Sequence, residues 1–426
     1  MKSITILLLA SLLSIGCEQG TTPLESQNLP TNLPPGPSMV AAAIISTTAA
    51  RITWIDSTST AREYELLAQW GEDTAFYPIQ RIPGSSRETV WEGCDRPTAY
   101  QVKIRSVFGK GYSESTRPKT FIRTRRVYAQ PITDIDWWST PDVQLSPDGE
   151  ELLLCQTWSV QLRETVTGKV IWTNEDLSSA AFLPDGNGII AAKEKELWRV
   201  SPENGALVEK VGETNDRVVQ IQVTKDNNWI FTKTYHGWIE AREANGNQIK
   251  MLGWGDPIDG PDPYYPSGRT IVVSPRNDLL AIIPSEIGGV IEVMQIGSFN
   301  VVASFDGRGA QFSPDGSKLA VTSAGSTGKI FSTEGWGELV SFEASGQVNW
   351  SPEGKYLIVG SWNLHFINST SGEDVAFNLD AYNPHMGSEY PGPDITNLAF
   401  SGDGRYLVGI TSYSSWVGAT YLALWI

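Results

Sequence analysis

Apolar and polar residues alternate with a period of two along much of the chain. Before residue 125 the clearest stretches are Arg51-Ile52-Thr53-Trp54-Ile55, Glu63-Tyr64-Glu65-Leu66 and Tyr100-Gln101-Val102-Lys103-Ile104-Arg105. A period of two turns successive side chains to opposite faces, so each stretch predicts a half-buried strand. About seven such strands in a segment of this size predict a small β-sandwich over residues 38–124.

From residue 125 the pattern becomes a repeat. A short apolar run, a Ser-Pro-Asp-Gly turn and a second apolar run recur along the chain. Clear copies are Val143-Gln144-Leu145-Ser146-Pro147-Asp148-Gly149, Gln311-Phe312-Ser313-Pro314-Asp315-Gly316 and Asn349-Trp350-Ser351-Pro352-Glu353-Gly354. Ala181-Phe182-Leu183-Pro184-Asp185-Gly186 and Ala399-Phe400-Ser401-Gly402-Asp403-Gly404 are close relatives. Ile221-Gln222-Val223-Thr224-Lys225-Asp226 and Val272-Val273-Ser274-Pro275-Arg276-Asn277 are degraded copies. Proline sets φ for the first turn position and Asp-Gly suits the positive φ that follows, so each copy predicts a hairpin. Further turns at Thr167-Gly168-Lys169, Glu203-Asn204-Gly205, Ala244-Asn245-Gly246 and Ser371-Gly372-Glu373 predict a second, outer hairpin in each repeat. Seven copies with a mean spacing of about 42 residues predict seven four-stranded units over 125–426, the arrangement of a seven-bladed β-propeller. Ala423-Leu424-Trp425-Ile426 is expected as the third strand of the last unit, with Arg126-Val127-Tyr128-Ala129-Gln130 supplying its fourth. That exchange would remove an open sheet edge.

The N-terminus departs from both patterns. Lys2 precedes an apolar run from Ile4 to Leu13, followed by Ser14-Ile15-Gly16-Cys17. A charged start, a short apolar segment and a small residue at a cutting site predict a secretory signal over 1–17. The apolar run is too short to span a bilayer, which takes about 20 residues. Residues 18–37 are rich in Gln, Thr, Asn, Ser and Pro and end in Pro34-Pro35-Gly36-Pro37, so they are expected to form a disordered tether.

The formal net charge of −16 offers no basic face for nucleic acid. Three cysteines and three histidines exclude a disulfide scaffold and a dense Cys/His metal site. The histidines are His236, His365 and His385; none lies in a His-Glu-x-x-His pattern, and His236 and His365 are expected in strands with structural roles. A Gly-x-Ser-x-Gly nucleophile elbow is absent, and the turn aspartates are read as turn chemistry. The chain is expected to be non-catalytic and to need no cofactor or metal. Carboxylates meeting across a propeller face would be the route to hydrolysis.

Two repeat spacings stand out. From 224 to 274 and from 351 to 401 the interval is 50 residues, longer than the others, and the surplus falls just before the next inner strand. The first surplus contains Trp254, Asp256, Asp259, Asp262, Tyr264 and Tyr265. The second contains Tyr382, His385, Glu389 and Tyr390. Asp134, Asp136, Trp137 and Trp138 occupy the equivalent place before the first repeat. In this register all three segments emerge on one face, and their aromatic and acidic residues suit recognition. Asp256, Asp259 and Asp262 offer oxygen ligands for Ca²⁺, but not at EF-hand spacing.

Several family resemblances attach to these residues. Gly16-Cys17 resembles the bacterial lipobox, with Leu13 one position further from the cysteine than the family prefers. The resemblance implies a lipid on Cys17, and Glu18 implies sorting to the outer membrane or cell surface. Residues 38–124 resemble a fibronectin type III domain through Trp54, Tyr64, Thr98-Ala99-Tyr100, Val107, Gly109, Gly111-Tyr112-Ser113 and Pro118. That implies a spacer, with Tyr100 as the corner tyrosine; Cys94 takes the usual Leu slot and Pro97 sits one residue late. Residues 125–426 resemble bacterial WD-repeat-like propellers without their Gly-His and Trp-Asp dipeptides. Thr167-Gly168-Lys169-Val170-Ile171-Trp172 also resembles the tryptophan-docking tail of quinoprotein-like propellers. Together these imply a lipid-anchored envelope protein that binds an envelope or extracellular protein. Glycan binding, an envelope assembly scaffold of the quinoprotein type and a carboxylate-dependent hydrolase remain open alternatives.

Overall fold

The computed structural model describes residues 36–425 apart from 45–47, 59, 72, 95–97, 110, 124–125, 133–140, 157, 245–248, 254–269, 285–288, 324, 345, 361–363, 379–393, 403, 405 and 413–419. Cys17, the expected signal and nearly all of the expected tether lie outside the described residues. The described regular elements are all strands, so the fold class is all-β as the alternation requires. The chain separates into two compact units, the first ending at Phe121 and the second running from Ile122, with Arg96–Thr98 grouped in the second.

In the first unit, strands Met39–Ile44, Ala49–Ile55 and Glu88–Glu92 form one antiparallel sheet. Tyr77–Pro83, Glu63–Trp70, Ala99–Phe108 and Gly111–Ser115 lie side by side in another. Strand Ala99–Phe108 carries out the alternation literally: Tyr100, Val102 and Ile104 are buried while Gln101, Lys103 and Arg105 are half-exposed. Aromatic pairs join the sheets, with Trp54 edge-on to Tyr64 at 5.1 Å and Trp91 edge-on to Tyr100 at 5.3 Å. Cys94 is buried, its Sγ 3.6 Å from the Thr48 carbonyl. The buried Tyr64 hydroxyl donates to Asp56 Oδ2 at 2.5 Å, and Asp56 also accepts from the amide and hydroxyl of Thr58. Burial and the Asp56 bond push the Tyr64 phenol up to about 12.

Propeller-like in strand number and order, the second unit contains six separate four-stranded antiparallel sheets and a further set of four antiparallel strands from Val348 to Asn378, counted below as the sixth sheet. Their first strands are Asp142–Leu145, Ser179–Phe182, Val218–Val223, Thr270–Val273, Gly309–Phe312, Val348–Trp350 and Asp394–Phe400. Each sheet pairs its strands in chain order, except that the seventh takes its fourth strand from Arg126–Ile132. That strand pairs antiparallel with Thr420–Trp425, from Ala129 opposite Ala423 to Ile132 opposite Thr420.

Each sheet opens on the predicted turn. Gly149, Gly186, Gly316, Gly354 and Gly404 have φ between 69° and 75°, and Asn227 and Asn277 take the same left-handed place in the degraded copies. Glycine and asparagine tolerate this conformation at least cost. Inside the turn a buried hydroxyl takes over part of the ladder. Ser146, Thr224, Ser313, Ser351 and Ser401 each accept, at 2.9 Å, the amide five residues on. Ser313 and then Ser317 donate to Asp315, lowering its carboxyl to about 2.

The second strand of each sheet is buried on both faces, and successive side chains go to different neighbours. Leu153 and Cys155 pack with Leu177, Ala180 and Ile189 on the second sheet. Leu152 and Leu154 pack with Val408 and Ile410 on the seventh. Similar clusters join the second sheet to the third, third to fourth, fourth to fifth, fifth to sixth and sixth to seventh. Trp172 adds a polar lock between the first two sheets. Its Nε1 donates to the Pro202 carbonyl at 2.8 Å, and its ring lies where a Cβ on Gly205 would fall.

Replacing Trp172 with Ala should cost about 3–5 kcal/mol, while Trp172→Phe should lose only the hydrogen bond, about 1 kcal/mol; urea denaturation separates the two. Tyr64→Phe should cost about 1–3 kcal/mol, because Asp56 loses a buried donor. The Tyr64 pKa is raised above its unfolded value of about 10. Its stabilisation is therefore whole below that pH and is lost as pH climbs toward 12; alkaline denaturation of Tyr64→Phe should lack that step.

Candidate functional site

In an antiparallel four-stranded sheet, the starts of the first and third strands and the ends of the second and fourth share one end. In the second unit that end carries a cluster drawn from the first and third sheets. Trp158 stands in the turn before strand Ser159–Glu164. Asp216 and Arg217 immediately precede strand Val218–Val223. Tyr235 and His236 form the turn between strands Trp229–Thr234 and Ile239–Glu243.

Local chemistry fixes each group. Gly237, at φ 81°, lets its amide reach the Thr234 carbonyl at 3.0 Å, and the Thr234 hydroxyl accepts the Trp238 amide. The Tyr235 amide donates to the Arg217 carbonyl at 2.7 Å, holding the turn against the first strand. The Val218 amide reaches across to the carbonyl of Glu194, a non-glycine residue at φ 54°. Asp216 accepts from the Arg217 amide at 2.7 Å, the His236 amide at 3.0 Å and His236 Nδ1 at 2.8 Å. Burial alone would raise this carboxyl, but the His236 amide and ring, with the Arg217 amide, hold it below the usual range.

The Arg217 guanidinium lies 3.8 Å from the Trp158 ring centroid and 5.5 Å from that of Tyr235. Partial burial lowers its pKa, opposed by the Glu194 charge. Tyr235 and His236 meet edge to face at 5.3 Å. Trp158 is nevertheless 55% exposed and the His236 side chain 59% exposed. Behind them Glu240, 2% exposed, accepts the Asn215 amide at 3.0 Å, and Arg242 donates to the Glu213 carbonyl. The result is a hydrogen-bonded base under an exposed indole and imidazole, with the half-buried Arg217 guanidinium and Tyr235 phenol between them. Such a surface can stack on and hydrogen-bond a partner. Among the described residues no three His, Cys, Asp or Glu side chains gather to hold a metal.

A second concavity, about 620 Å³, lies between the fifth and sixth sheets. Its lining includes Thr327, Phe342, Glu343, His365 and Asp374, and His365 Nδ1 is 2.8 Å from Asp374 Oδ2. His365 opens a strand, as expected. His236 does not: it sits in an exposed turn, because Gly237 and Thr234 close the hairpin around it.

The residues singled out for recognition all fall outside the described residues. They are Asp134, Asp136, Trp137 and Trp138; Trp254, Asp256, Asp259, Asp262, Tyr264 and Tyr265; and Tyr382, His385, Glu389 and Tyr390. Each segment joins a fourth strand to a following first strand: Ile132 to Asp142, Gly253 to Thr270 and Asn378 to Asp394. The described residues beside these segments bind one another across sheets. Asn397 takes the Gln347 side-chain oxygen at 3.1 Å with its amide and donates through Nδ2 to the Pro141 carbonyl. Gln220 makes two 3.2 Å bonds with the Ile271 backbone. Sequence reading missed Trp158, Arg217 and Tyr235, since no local motif announces contacts made across sheets.

Asp216→Asn should lower stability at pH 7 by about 1–2 kcal/mol through weaker acceptance from three donors. The carboxyl pKa is depressed, so its contribution is present above the unfolded value of about 3.9 and fades as pH falls below it. Urea midpoints of the two proteins should therefore differ at pH 7 and converge near pH 3. No protein-family model matches the chain, and a search of curated proteins finds no match.

Proposed function

We propose that the protein is a non-catalytic, lipid-anchored protein of the bacterial cell envelope that binds an envelope or extracellular protein. In this reading the second unit is a seven-bladed, WD-repeat-like β-propeller. Seven sets of four antiparallel strands and seven clusters joining neighbours, including seventh to first, support it. The first unit is a fibronectin type III spacer, a reading supported by its two small sheets and the Trp54–Tyr64 and Trp91–Tyr100 pairs. Anchoring through Cys17 and an outer-membrane or surface location rest on the lipobox-like Gly16-Cys17 and on Glu18.

The observation that carries the binding reading is the Trp158–Arg217–Tyr235 cluster, in which an exposed indole stacks on a half-buried guanidinium beside a half-buried phenol. Tryptophan, tyrosine and arginine are the residues that dominate protein–protein binding energy. The aromatic segments 134–138, 254–265 and 382–390 join strands at the sheet ends where fourth strands finish and first strands start. A second reading, an envelope assembly scaffold of quinoprotein-like type, draws on Trp172 seated against Pro202 and Gly205.

The test is capture from native envelope extract with the detergent-solubilised full chain. One variant carries Trp158→Ala and Tyr235→Ala, another Trp137→Ala, Tyr264→Ala and Tyr265→Ala. A protein held by the parent and reduced at least tenfold with the first variant supports the reading. Equal capture by the parent and both variants refutes it.

A further inference from the structure

Six charged side chains of the described residues are buried, and five of them have partners. Asp56 accepts from Tyr64 and Thr58. Glu65 is held by Arg81 at 2.8 Å and by Arg105. Arg163 donates to Gln161 and to the Gly168 carbonyl. Glu240 and Arg242 have the bonds described above. Lys233 is the sixth, 8% exposed, and it makes no hydrogen bond or ion pair with any described residue.

Its setting is apolar. Lys233 lies two residues beyond Phe231 on the same strand and opposite Ile239 on the next. Phe231 and Ile239 belong to the cluster shared with Ile271, Leu280 and Ile282 of the fourth sheet, so the lysine stem enters that interface. On its other side Lys233 pairs with Gln220, whose amide is fully committed to the Ile271 backbone. The ladder is broken just there, with a register shift between Val218 and Gln220 that leaves Val219 as an extra residue. Bulges of this kind re-aim side chains and concentrate beside functional sites. Burial, with no opposing charge, lowers the amine to about 8.

A lysine that is largely buried without a counter-charge loses hydration, and apolar residues of similar size are commonly better tolerated. A protein of net charge −16 has acids to spare, yet among the described residues none pairs with this cation. We propose that Lys233 is the cation of an oxyanion-binding site between the third and fourth sheets, taking a carboxylate or a phosphate group. The register shift at Val219 lies beside the lysine, and the ligand supplies the charge that no described residue provides.

Thermal melting of the full-length protein at pH 6.5, where the amine is protonated, tests this. Chloride, acetate and phosphate are compared at matched ionic strength. The parent should melt about 3 °C higher in saturating acetate or phosphate than in chloride; whichever anion acts identifies the class. Lys233→Met should melt higher than the parent in chloride and ignore the anion, while Lys233→Arg should keep the response. A parent that melts alike in all three salts overturns the site. So does a Lys233→Met protein that follows the parent through every anion.

Discussion

Burial of the second strand on both faces governs the larger unit. A strand such as Glu151–Gln156, with Leu152, Leu153 and Leu154 all fully buried, cannot be satisfied by one neighbouring sheet. Period-two geometry sends Leu153 one way and Leu152 and Leu154 the other, so each sheet needs a partner on both sides. With about 2–5 kcal/mol attached to each buried leucine, this demand outweighs any single turn or ion pair. Surface pairs such as Lys329–Glu338 or Lys193–Asp176 are exposed and add little by comparison.

The turns convert that demand into a repeat. A serine or threonine hydroxyl sits buried where the hairpin reverses and accepts the amide five residues later. It satisfies a backbone donor that would otherwise be stranded between sheets. The motif survives loss of its glycine because Asn227 and Asn277 reach the same left-handed conformation. It survives loss of proline at Thr224 because the hydroxyl and the amide geometry are kept.

This explains what could be read in the sequence. Strand class, the seven turn positions and the pairing of Arg126–Ile132 with Thr420–Trp425 follow from local signals: period two, Pro-Asp-Gly, and a leftover strand at each end. The cluster around Arg217 follows from none. Trp158 and Arg217 are on different sheets, and stacking at 3.8 Å depends on how a turn of one sheet lies beside the first strand of another. His236 was misread because its neighbours look strand-forming, while Gly237 turns the chain one residue later. Lys233 was equally silent: a lysine in an alternating strand reads as solvent-facing until the bulge at Val219 and the cluster around Phe231 are seen.

The strand Arg126–Ile132 also sets an order of events during folding. Its partner, Thr420–Trp425, is made nearly three hundred residues later. Five of the sheets contain only strands adjacent in sequence and can form as the chain lengthens. The seventh must wait, with one strand held unpaired through the whole synthesis of the others. Joining such distant segments is entropically slow, so this sheet should assemble last. Until it does, Leu152 and Leu154 lack Val408 and Ile410, and one face of the first sheet stays open to association with other chains.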